Sequence, residues 1–138
     1  MPQNHNKVTS WIPALLWMLL IFILSSRPRI GITHISGVDF IIFKSLHVIE
    51  YGILYLLVFR GIYRTSRSTL MKQLLAAFII SFFYAVSDEV HQTFVITREG
   101  KVRDIAIDTV GITMSFLLIR FKGSPLLEIL RPGERGSE

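Results

Sequence analysis

The chain has 138 residues, 51% of them apolar, with a mean hydropathy of +0.50 and no cysteine. That is room for one domain rather than two, and it excludes disulfides, thiolate metal sites and a cysteine nucleophile. The net charge is +5 with a pI near 9.9, but the basic residues flank long apolar blocks, which points to membrane topology and an anionic lipid surface rather than to nucleic acid.

The first apolar block is Val8 to Ser25, "VTSWIPALLWMLLIFILS". No A-x-A-like cleavage site follows it, so it reads as a retained span rather than a signal peptide. Trp11 and Trp17 read as lipid or interface contacts. The apolar stretch "VDFIIF" then suits an interfacial segment leading into the second block, Ile41 to Phe59, which is interrupted by Lys44, His47 and Glu50. The third block runs from Leu74 to Val95 with its acids in the last third, and the fourth from Ile105 to Phe121. Each approaches the ~20 residues that carry a helix across ~30 Å of hydrocarbon. Strand alternation is absent, so the blocks predict helices.

The expected fold is therefore an all-α membrane protein. Residues 1–121 form a bundle of about four transmembrane helices, and residues 122–138 form a charged, loosely ordered cytoplasmic tail. "TREGKVRD" predicts a turn, with Glu99-Gly100 at its tip and Asp104 capping the fourth helix. His5 and His34 read as surface residues.

Lys and Arg give the direction. Lys7, Arg60, Arg64, Arg67, Lys72, Arg120, Lys122, Arg131 and Arg135 fall on one side, nine in all, against six on the other: Arg27, Arg29, Lys44, Arg98, Lys101 and Arg103. The richer side is expected in the cytoplasm with both termini.

The polar residues then gather in the outer half of the membrane. Glu50 falls ~12 Å below the outer end of its helix, Asp88 ~10 Å and Asp108 ~5 Å. Each helix shows one polar face. Lys44, His47, Glu50 and Tyr51 fall within an arc of ~120°, and Ser81, Tyr84, Asp88, His91 and Gln92 within ~100°, with Glu89 at the edge. Asp104, Asp108, Gly111 and Ser115 follow one stripe, and its small residues permit close helix contact.

A charge at mid-helix costs ~2.5–3.5 kcal/mol on insertion scales, so three such faces are expected to meet inside the bundle. Five acids, Glu50, Asp88, Glu89, Asp104 and Asp108, against Lys44, Arg98 and Arg103 leave a balance of −2 with both histidines neutral. Protonation, a bound cation or a cationic part of a ligand must offset it.

The strings "KSLHVIEYGIL", "SDEVHQTFVITREGKVRDIAIDTVG" and "LSSRP" resemble the VanZ-like family of bacterial membrane proteins, in the right order and over all four spans, roughly Trp11 to Phe121. One position departs from the family pattern: Phe43 stands where an acid often precedes the lysine. The resemblance implies a multi-pass protein of the bacterial cytoplasmic membrane, from a family whose namesake is associated with teicoplanin resistance. It singles out Lys44, His47, Glu50, Tyr51, Asp88, Glu89, His91, Gln92, Arg98, Arg103, Asp104, Asp108 and Gly111.

Three functions fit these residues. One is binding of an envelope lipid or a polyprenyl-phosphate-linked or other anionic headgroup, with Lys44 recognising phosphate and Arg98 and Arg103 forming a bidentate clamp. The second is an intramembrane hydrolase or transferase with Asp88 or Glu89 as general base and His91 or His47 as proton shuttle. The third is an accessory protein whose ion network only holds the bundle. Asp88 and His91, one turn apart, with Asp104 and Asp108 nearby, also suit a divalent metal, although no H-E-x-x-H motif is present. Ser25 is a poor nucleophile, since nothing in the sequence sets a base beside it.

Overall fold

The structure, a computed structural model, describes residues 7–28, 36–96, 98 and 100–130. His5, Arg29, His34, Glu99, Arg131 and Arg135 lie outside the described residues, as does the end of the tail, 131–138. The described residues form four helices: α1 (Lys7–Ser25), α2 (Ser36–Thr65), α3 (Leu70–Gln92) and α4 (Val102–Leu130).

The helices agree with the expected blocks in number and order, but their ends differ. α2 begins before Ile41, because "VDFIIF" forms its first turns, with Asp39 placed where the helix dipole favours an acid. α3 stops at Gln92, where Thr93, Phe94 and Val95 turn back with their N–H groups on Val90, His91 and Gln92. α4 starts at Val102, so Asp104 lies inside its first turn rather than capping it. It runs past Phe121 to Leu130, with a break in the helical backbone at Lys122 (φ −117°, ψ 18°). α1, α2 and α3 are long and apolar enough to cross a membrane. α4 is more polar, with Arg103, Asp104 and Asp108 in its first turns.

α2 is the central helix. Tyr51, Leu54, Tyr55, Val58 and Phe59 are all fully buried, whereas α1 leaves Leu15, Leu16, Leu19 and Leu20 exposed. Polar side chains therefore turn inward and much of the apolar surface turns outward, which suits lipid rather than water as the surroundings.

Small residues set the α2–α4 contact. Ser115 donates to the Gly52 carbonyl at 3.0 Å, and a Cβ on Gly111 would stand 2.1 Å from the Val48 carbonyl oxygen. α1 is held by polar contacts as well. The Trp17 indole donates to the Glu50 carbonyl at 3.0 Å, and Tyr84 of α3 donates to the Met18 carbonyl at 2.6 Å. Trp11 packs against Gly61. Both tryptophans thus serve helix packing, not only the lipid contact their sequence positions suggest. Arg60, expected to signal topology, also donates to the Ser10 carbonyl at 3.3 Å.

Candidate functional site

One end of the bundle collects the charged groups. It is built from the last turn of α1, the first half of α2, the end of α3 and the start of α4. Lys44, Asp88, Glu89, Gln92, Asp104 and Asp108 are all buried there, as three polar faces turned inward require.

An ion pair and an imidazole–carboxylate contact join α2 to α4. Lys44 Nζ lies 2.6 Å from Asp104 Oδ2, and His47 Nδ1 lies 3.0 Å from Asp108 Oδ1. Lys44 and His47 are three positions apart and Asp104 and Asp108 four, so the two pairs stack one helical turn apart. Lys44 is therefore engaged with a carboxylate inside the bundle. Arg103 is largely exposed. It lies 3.6 Å from Asp104 Oδ1 and 4.9 Å above the Phe40 ring.

Asp88 joins α2 to α3. Its Oδ2 accepts from the Tyr51 hydroxyl at 3.1 Å and from Gln92 Nε2 at 2.8 Å. Gln92 Oε1 in turn accepts from Arg98 Nη1 at 3.2 Å. The rest of the Arg98 fork reaches the end of α1, with Nη2 on the Leu24 carbonyl and Nε on the Arg27 carbonyl at 3.1 and 2.9 Å. Arg98 and Arg103 thus serve different partners and do not form the expected clamp.

Glu89, at the edge of the polar face of α3, is buried, and its Oε2 accepts from the Lys101 N–H at 3.0 Å. The chain passes this point closely, since a Cβ on Gly100 would stand 2.3 Å from the Glu89 carbonyl oxygen. His91 turns to α1, where its Nε2 lies 3.0 Å from Ser26 Oγ and its ring rests 4.5 Å from that of Phe22. Ser26 also donates to the Phe22 carbonyl at 2.6 Å, so its proton is engaged away from the imidazole. Asp88, Glu89 and His91, adjacent in sequence, therefore have three separate sets of partners.

A cavity of about 330 Å³ lies between α1, α2 and α3. Ile21, Leu24, Phe43 and Leu46 give it apolar walls, and His47, Glu50, Asp88, Arg27 and Arg98 line its polar part. Lys44, Arg103, Asp104 and His91 are not in its lining. Arg27 and Ser26 were not among the site residues selected by helical faces, because they follow the end of α1. Their signal was the "LSSRP" string. Among the described residues, buried oxygens without a hydrogen-bond partner are Asp88 Oδ1, Glu89 Oε1, Asp104 Oδ1, Asp108 Oδ2 and Ser81 Oγ.

The VanZ/LLP1 family model matches residues 10–123, most of the chain and all the site elements just described. The protein belongs to that family. No curated protein and no solved structure matches it.

Proposed function

We propose that this VanZ/LLP1 family member binds an envelope lipid by its headgroup in the cavity between α1, α2 and α3. The observation that carries the reading is the two-sided lining of that cavity: aliphatic and aromatic walls beside two arginines, two carboxylates and an imidazole. Its volume of about 330 Å³ falls at the lower end of the range for small-ligand sites, enough for a headgroup. Arg27 suits a phosphate, as in a polyprenyl-phosphate-linked or other anionic lipid, and Arg98, whose three nitrogens already serve Arg27, Gln92 and Leu24, adds its charge to that end of the cavity. Glu50 and Asp88 suit hydroxyl or amine groups of the same headgroup.

The orientation belongs to the same proposal. With both termini in the cytoplasm of a bacterial cell, the cavity lies in the outer half of the cytoplasmic membrane. Altered access to an envelope lipid there would underlie tolerance of a glycopeptide such as teicoplanin. The hydrolase or transferase alternative is less well supported, since Asp88, Glu89 and His91 do not converge on one point.

Native mass spectrometry of gently extracted protein tests the reading. Wild type is expected to retain a phospholipid or polyprenyl-phosphate mass. Arg27→Ala and Leu46→Trp, the second filling the apolar wall, should lose it at normal abundance. A bare wild type, or the same lipid on both variants, would overturn the proposal.

A further inference from the structure

Glu89 of α3, Asp108 of α4 and His47 of α2 each offer a ligand atom within 4.8 Å of the other two. Glu89 is 3% exposed and Asp108 is fully buried. Each carboxylate uses one oxygen, Glu89 Oε2 for the Lys101 N–H and Asp108 Oδ1 for His47. The other oxygen of each, Glu89 Oε1 and Asp108 Oδ2, is buried and accepts no hydrogen bond. Burying such an oxygen unpaired is costly, and two neighbouring carboxylates also repel. A divalent cation between them removes both penalties.

We propose that His47, Glu89 and Asp108 form a binding site for a first-row divalent cation, Zn²⁺ or Mn²⁺. The donor set points to these ions, since imidazole with carboxylates suits them, while Ca²⁺ and Mg²⁺ favour oxygen ligands. Three ligand atoms set tetrahedrally ~2.1 Å from such an ion lie ~3.4 Å apart. The three groups, whose ligand atoms lie within 4.8 Å of one another, therefore draw in by at most ~1.4 Å, within the reach of side-chain rotations. Three protein ligands leave at least one coordination position for water or another ligand. Of the three residues, only His47 also lines the cavity, so the site backs onto the cavity wall but does not depend on the lipid reading.

The test uses full-length protein in detergent, stripped with chelator and titrated by calorimetry with Zn²⁺ alone and with Mn²⁺ alone. Metal content as purified is measured in parallel. The expected result is one equivalent of one of these ions. Affinity should fall by ~100-fold or more in Glu89→Gln and in Asp108→Asn. It should hold in Asp39→Asn, which removes an acid at the start of α2 outside the trio. Circular dichroism establishes that each variant keeps its helix content. If stripped wild type takes up neither ion, the site is a proton-sharing network and the proposal is overturned, whatever the variants do. Equal uptake by folded Glu89→Gln overturns it as well. Wild type that binds the ion but retains no lipid would refute the lipid reading alone.

Discussion

Gly111→Ala adds one methyl group where α4 crosses α2. The new Cβ would stand 2.1 Å from the Val48 oxygen, 2.9 Å from the Val48 carbonyl carbon and 3.1 Å from the Gly52 nitrogen. All three are backbone atoms, so no side chain can rotate out of the way. A relaxed carbon–oxygen contact is about 3.3 Å, which requires the helices to part by roughly 1.2 Å. His47 precedes Val48, and Asp108 lies one turn before Gly111. The same displacement therefore takes the 3.0 Å His47–Asp108 contact and the 3.0 Å Ser115–Gly52 bond beyond hydrogen-bond reach. Overpacking costs ~1–3 kcal/mol and each lost bond ~1 kcal/mol, while alanine's better helix propensity returns ~1 kcal/mol. The expected loss is about 2–4 kcal/mol, measured by reversible unfolding in mixed micelles. Gly37→Ala is the reference, since nothing lies within 4 Å of its added Cβ. If Gly111→Ala unfolds at the same denaturant as Gly37→Ala, the close-approach argument is wrong.

Lys44→Met should cost ~3–5 kcal/mol by leaving Asp104 buried without its nearest cation, and Lys44→Met/Asp104→Leu should regain most of it; a double variant no more stable than the single would refute this. The absence of cysteine makes single-cysteine reporters clean. The proposed orientation, both termini in the cytoplasm, predicts that Thr93→Cys reacts with an impermeant thiol reagent in intact cells and Ser68→Cys only after permeabilisation; the opposite pattern would reverse it.

Helix number and order were legible because apolar length is a one-dimensional signal. The inward faces were legible because 100° per residue turns spacing into direction. That is how Lys44, His47, Asp88, Asp104 and Asp108 were selected before any contact was known. Pairing was not legible. Nothing in the spacing says that Lys44 meets Asp104 and His47 meets Asp108, because the register of α2 against α4 depends on how closely Gly52 and Gly111 approach. The burial of Glu89 was not legible for a related reason. Its angle on α3 puts it at the edge of the polar face, but the segment around Gly100 and Lys101 folds over that edge and buries it. Arg98 was read for its charge, whereas its planar fork serves carbonyl groups of a helix far away in sequence.

That last contact bears on how the protein is made. α1 is synthesised first, but the carbonyls at its end, those of Leu24 and Arg27, receive donors from Arg98, which lies 74 and 71 residues later in the chain. Until translation reaches that arginine, the end of the first helix lacks these donors. The Leu24 carbonyl meanwhile has the Arg27 N–H of its own segment, so what waits for the loop after α3 is the tie between the end of α1 and the rest of the bundle.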